Sequence, residues 1–248
     1  LIDAAATGQA LAAGFVSDRF FATGEISRLD LAAAVALAVL LVGLDGSWRY
    51  VRYAITTVHE LGHVVVGWFV GRTIESINLN HDTSGLTLSR GKPHGVGIFF
   101  LYVAGYTAPP VAGFVLLASV IYRHAGWGMA ALIGLLLVAL VFVRNAFGVL
   151  VLVAQLGVYG ALWYWNDQRL LGWLLMLVGS LMSIGGVRAA FGLVDLHRRR
   201  KARTSDAAIL GRQTRIGAMT WAVGFVAFSL ALLAITGLMV WAQAPSLG

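Results

Sequence analysis

Residues 56–68 read Thr56-Thr57-Val58-His59-Glu60-Leu61-Gly62-His63-Val64-Val65-Val66-Gly67-Trp68, inside an apolar stretch from Tyr53 to Gly71 that holds no other ionisable side chain except tyrosine. Ionisable groups in such a stretch are costly in hydrocarbon and need a partner or a water-filled cavity. His59 and His63 are four residues apart, so a helix stacks them on one face about one turn from each other. Two imidazoles so placed can bind one Zn²⁺, and Glu60, next to the first, can act as general base on a water at the metal: this is the HExxH pattern of zinc metallopeptidases. The bland alternative is a cluster of polar groups that packs helices or carries protons. Three such residues within five, on an otherwise uncharged helix, favour the metal site.

The rest of the chain explains why the stretch lies in a membrane. Of 248 residues 59% are hydrophobic and 12% charged, against about 45–50% and about 25% in soluble domains. A soluble core cannot bury that much apolar surface. Apolar residues dominate and cysteine is absent, which excludes disorder, a disulfide scaffold, thiolate catalysis and cysteine-ligated zinc, leaving His and carboxylate as strong metal ligands. Runs of about 20 residues, enough to cross roughly 30 Å of hydrocarbon, occur near 31–48, 53–71, 97–122, 126–143, 146–165, 170–193 and 216–242. The expected fold is therefore an all-α polytopic membrane protein of about seven transmembrane helices, or six if Arg144-Asn145 does not separate the fourth from the fifth. It is read as one transmembrane domain over 1–248, with an N-terminal segment 1–30. Residues 1–16 lack the positive start of a signal peptide, and the missing initial Met suggests a trimmed chain.

Charge orients this bundle. Eight of the 18 Lys and Arg fall between Arg188 and Arg215, including Arg198-Arg199-Arg200-Lys201. By the positive-inside rule the loop 194–215 is cytoplasmic in a multi-pass protein of the cell membrane. The run reads as an orientation signal that also meets anionic lipid headgroups, so no nucleic-acid partner is inferred from the net charge of +7. With seven spans the loop 72–95 falls on the same side. There Ile74, Ile77 and Leu79 alternate loosely with polar residues, Asp82-Thr83-Ser84-Gly85 reads as a turn, and Leu86 and Leu88 alternate with Thr87 and Ser89, which predicts a short β-hairpin. Trp48, Trp127 and Trp163-Tyr164-Trp165 fall at span ends and suit an interfacial belt. Gly62, Gly67 and Gly71 would permit close helix contact or give room to the metal site.

A His-Glu-Leu-Gly-His motif in a transmembrane helix, followed by Gly71 and a hairpin, resembles the site-2 protease family of intramembrane zinc metallopeptidases, most closely a compact single-module bacterial branch. Ala104-Gly105-Tyr106, Arg144 to Gly148 and Ser205-Asp206-Ala207 follow in the order that branch shows. The resemblance implies a Zn²⁺-dependent hydrolysis of peptide bonds in or near the transmembrane segments of membrane proteins, with His59 and His63 as ligands and Glu60 as catalytic base. It also implies that the hairpin holds an unwound substrate segment as an added strand; a plain surface loop is the alternative.

A catalytic zinc needs a third protein ligand. Better-known members of that family supply an Asp from a Leu-Asp-Gly motif in a later helix, and this chain has no such motif there. Asp206 is preferred through its match to the Ser-Asp-Ala motif, although an acidic residue at a helix start is ordinary. Asp195 is the runner-up, otherwise a partner for Arg188 or Arg198. Asp82 lies in the hairpin, and Asp167 is set aside as interfacial, on the opposite side. Asn145 reads as a turn or packing residue, and His81, His94, His124 and His197 as solvated imidazoles. A transporter with a proton or metal-ion path, and a non-catalytic regulatory relative, remain the alternatives; the oligomeric state and substrate are not fixed by the sequence.

Overall fold

The computed structural model describes residues 19–20 and 26–243. The reading of residues 1–16, and most of the segment 1–30, lie outside the described residues. Within 26–243, eight helices and one hairpin follow in order: α1 (Arg28–Gly43), α2 (Asp45–Phe69), β1 (Thr73–Leu79), β2 (Gly85–Arg90), α3 (Val96–Ile121), α4 (Ala125–Phe142), α5 (Ala146–Trp165), α6 (Gln168–Arg198), α7 (Asp206–Thr214) and α8 (Ala218–Gln243).

Each of the seven expected apolar segments forms a helix, but not every one of these helices qualifies as a span by its own length and composition. Among the described residues five helices, α3, α4, α5, α6 and α8, are long and apolar enough to cross a membrane alone, and a sixth crossing exists if α1 and α2 count as one bent span. The physical reason is local. Helix α1 has 16 residues, about 24 Å at 1.5 Å per residue, and it stops where Leu44 turns extended. Helix α2 then starts at Asp45, inside the stretch expected to belong to the first span, and bends 105° from α1. Its first two turns carry Asp45, Arg49 and Arg52, which hydrocarbon does not hold.

Local chemistry fixes the ends. Ser27 and Asp30 form a reciprocal capping box at α1, and Asp30 also accepts from Arg169 at 3.1 Å, tying α1 to the start of α6. Asp167 caps α6 by accepting from Leu170 N, so the residue set aside as a ligand has a structural task. Helix α6 is the hub of the bundle, packed on α1, α3 and α8, and α3 also packs on α2. At Gly62 a Cβ would come within 2.6 Å of Ala108 Cβ and 2.7 Å of the Ala104 carbonyl oxygen, so α2 meets α3 backbone to backbone. Gly67 instead gives room to Ile74 of the hairpin, and Gly71 turns the chain at φ +73°.

The expected hairpin is present: β1 and β2 pair antiparallel, with an irregularity between Ile74 and Ser76. It folds back along α2, because Tyr53 Oη donates to the His81 carbonyl at 2.7 Å and Thr56 Oγ1 to that of Thr83 at 2.8 Å. The free edge of β1 is closed by residues 143–145: Arg144 N donates to the Ile77 carbonyl at 3.0 Å, and Asn145 both accepts from Leu79 N (3.1 Å) and donates to Leu79 O (2.5 Å). Asn145 thus replaces a neighbouring strand, a more specific task than the turn expected of it. Strand β2 pairs only with β1 among the described residues. Gln213 Nε2 of α7 donates to the Pro93 carbonyl at 3.0 Å, which puts the hairpin loop and the basic loop on one side of the bundle.

Candidate metal centre

His59, Glu60 and His63 come from α2, and the fourth residue comes from far along the chain. Asp206 is the first residue of α7, whose N-cap Ser205 accepts from Ala208 N. Ala207 and Leu210 of the same helix are fully buried in an apolar cluster with Leu193 of α6 and Phe225 of α8. That packing turns Asp206 toward α2. Its Oδ2 lies 3.2 Å from His59 Nε2 and 3.4 Å from His63 Nε2, and the two Nε2 atoms are 3.2 Å apart.

The electronic state of these atoms decides what they can hold. His63 Nδ1 lies 2.8 Å from the Leu101 carbonyl oxygen, which can only accept, so Nδ1 carries a proton and, when the ring is neutral, Nε2 presents a lone pair. Asp206 Oδ2 is buried and has no hydrogen-bond partner, despite its nearness to both rings. With both Nε2 atoms unprotonated, three sets of lone pairs converge there, and a cation among them relieves their repulsion. His59, His63 and Asp206 form a group whose ligand atoms all lie within 4.8 Å of one another. Two imidazoles and one carboxylate, with a carbonyl fixing one ring, suit zinc and the outer-sphere support its histidines normally have.

Glu60 stands beside this group rather than in it. It is 3% exposed, and Oε2 accepts from Thr87 Oγ1 of β2 at 2.6 Å. Any side chain at Gly85 would run into the Glu60 carboxylate, and a Cβ at Gly105 would lie 2.5 Å from Asp206 Oδ2 and 2.6 Å from His59 Cε1. Tyr106 meets His59 edge-on at 4.7 Å and stacks on Phe225 at 5.2 Å, which walls the site with aromatic surface. Pro109 and Pro110 lie inside α3 and lack the N–H groups that would reach the carbonyls of Gly105 and Tyr106. The helix therefore forgoes those two backbone bonds on the turn that packs against His59.

The other candidates lie elsewhere. Asp195 pairs with Arg199 at 2.8 Å, while Arg188 pairs with Asp45. The Asp82 carboxylate accepts from Ser84 Oγ and N, which holds its pKa below the ordinary carboxylate value. His81 lies against Phe147, His124 precedes α4 and His94 is exposed in the loop after β2. His197 is not a free imidazole: its Nε2 lies 2.9 Å from Ser205 Oγ. Sequence reasoning missed Thr87, Gly85 and the Leu101 carbonyl, none of which carries a local signal. Gly105 had one, through Ala104-Gly105-Tyr106, and the structure supplies its physical reason: space for Asp206 and His59.

A family model described as Peptidase M50B-like matches residues 31–236, which include every residue of this centre. No curated protein and no solved structure matches the chain.

Proposed function

The chain belongs to the peptidase M50B-like family, and from that premise we propose that it is an intramembrane zinc metalloendopeptidase, hydrolysing peptide bonds in or near transmembrane segments of other membrane proteins. The observation that carries the reading is the convergence of His59 Nε2, His63 Nε2 and the buried Asp206 Oδ2 beside Glu60. His59, His63 and Asp206 would hold the metal. When bound, zinc supplies Lewis-acid polarisation of the scissile carbonyl and a water of lowered pKa. Glu60 takes a proton from the attacking water and returns it to the departing amine nitrogen. Thr87 fixes the Glu60 carboxylate during both transfers, and the Leu101 carbonyl holds the His63 ring and its tautomer.

A helical substrate has its carbonyls hydrogen-bonded and shielded, so it must unwind near the metal. The unpaired edge of β2 offers such a segment a strand to pair with, close to Glu60. In this reading the protein is a multi-pass protein of the cell membrane, its substrates are transmembrane proteins or peptides, and the basic loop 196–215 faces the cytoplasm. The test is cleavage of a helical transmembrane substrate by the purified chain alongside Glu60→Gln. The variant should keep its zinc and lose cleavage; undiminished cleavage would overturn Glu60 as the base.

A further inference from the structure

At the end of the bundle that carries Asp206, helices α6, α7 and α8 surround an open cavity of about 650 Å³ whose lining includes Arg200, Arg203, Arg212 and Arg215. None of these four guanidinium groups has a carboxylate partner among the described residues; the neighbouring Asp195 is taken by Arg199 and Asp206 faces the histidines. Arg212 is aimed by donating to the Arg203 carbonyl at 3.1 Å. Four like charges around one hollow repel each other, and an anion in the hollow relieves them. Arginine's planar fork matches phosphate oxygens in particular.

Two of the four arginines sit at helix ends. Arg200 and Arg215 both adopt positive φ, 57° and 61°, each just past a helix end where glycine is the ordinary residue. Both strained arginines line the same cavity.

The cavity lies between the end of α6 and the start of α8, both candidate spans, and the ends of spans are where a bilayer presents its headgroups. Ile216 in the cavity lining just before α8, and Met219 and Val223 in the first two turns of α8, are exposed, an apolar track leading from the arginines along α8. An arginine-lined hollow above an apolar track fits an amphiphile rather than a free ion. We propose that this cavity binds the phosphate of an anionic phospholipid headgroup through Arg200, Arg203, Arg212 and Arg215. Because Asp206 and Arg212 belong to the same nine-residue helix α7, a headgroup held there also steadies Asp206. The binding itself does not depend on peptidase chemistry.

The test uses the full chain in neutral detergent, supplied with phosphatidylglycerol or phosphatidylcholine, with retained lipid read by native mass spectrometry and melting temperature measured in parallel. Two double variants remove equal charge: Arg200→Gly with Arg215→Gly inside the cavity, and Arg198→Gln with Lys201→Gln outside it. The native chain and the outside pair should retain phosphatidylglycerol over phosphatidylcholine. The inside pair should retain about tenfold less, with an unchanged or higher melting temperature in phosphatidylcholine because glycine relieves both backbones. Equal loss from the two pairs would make the effect general surface charge and overturn the site, as would undiminished retention by the inside pair. Inorganic phosphate is the third arm: if millimolar phosphate stabilises the native chain but not the inside pair, and phosphatidylglycerol is not retained, the lipid assignment is overturned in favour of a soluble phosphate.

Discussion

Thr87, on the second strand of the hairpin, donates its hydroxyl hydrogen to Glu60 Oε2 at 2.6 Å. The hairpin therefore does more than flank the centre: it determines how the carboxylate of the proposed base is turned. Thr87→Val should leave zinc content unchanged and lower kcat by about tenfold, the scale of losing one outer-sphere contact, while Thr87→Ser should restore most of it. A kcat equal to that of the native chain in Thr87→Val would remove the hairpin from the chemistry.

Asp206 and Asp195 can be separated by metal content. Asp206→Ala should weaken zinc binding by about a hundredfold or more, since one of only three protein donors is lost. Asp195→Ala should change it little, because Asp195 is spent on an exposed pair with Arg199, a kind of contact worth about 0–1 kcal/mol. Zinc measured by plasma mass spectrometry after dialysis decides between them, and full occupancy in Asp206→Ala would remove it as a ligand.

Gly105 offers a steric test that touches no ligand. In Gly105→Ala the new methyl would press on Asp206 Oδ2 and His59, so zinc occupancy and cleavage should fall together. Gly157→Ala on α5, where a Cβ meets nothing within 4 Å, should be neutral or stabilising by about 0.5–1 kcal/mol. Equal behaviour of the two variants would show that the contact at Gly105 does not constrain the centre.

Asn145 holds the hairpin from the other edge. Asn145→Ala leaves both backbone groups of Leu79 unpaired, and Leu79 is 2% exposed, so the variant should lose about 1–3 kcal/mol. Limited proteolysis at residues 80–84, followed by mass spectrometry, should show faster nicking of the loosened hairpin. Nicking at the native rate would mean that packing of β1 alone is sufficient.

The same residues show how far sequence carries. The pairing of His59 with His63 is set within one helical turn, and the hairpin by alternation around Asp82-Thr83-Ser84-Gly85; both are short-range and both were legible. The number of spans was not. Leu44 ends α1 inside a stretch that reads as continuously apolar as far as Asp45, and the 105° bend there comes with the exposed charges Asp45, Arg49 and Arg52 at the start of α2, which a run-length reading of hydropathy overlooks.

Composition and spacing by themselves determined the bilayer as solvent, the histidine face of α2, the hairpin after it and the sign of the basic loop, because each depends on residues within a turn, a strand pair or a bulk transfer energy. Only the tertiary structure decided that Asp206 rather than Asp195 meets the histidines, that Thr87 turns Glu60, that Asn145 closes the hairpin and that four arginines share one hollow. All but the last of these join segments well separated in the chain. Their geometry is fixed by the burial of α7 in the apolar cluster formed with α6 and α8, and by the close approach of α2 to α3 at Gly62, neither of which leaves a local mark in the order of residues.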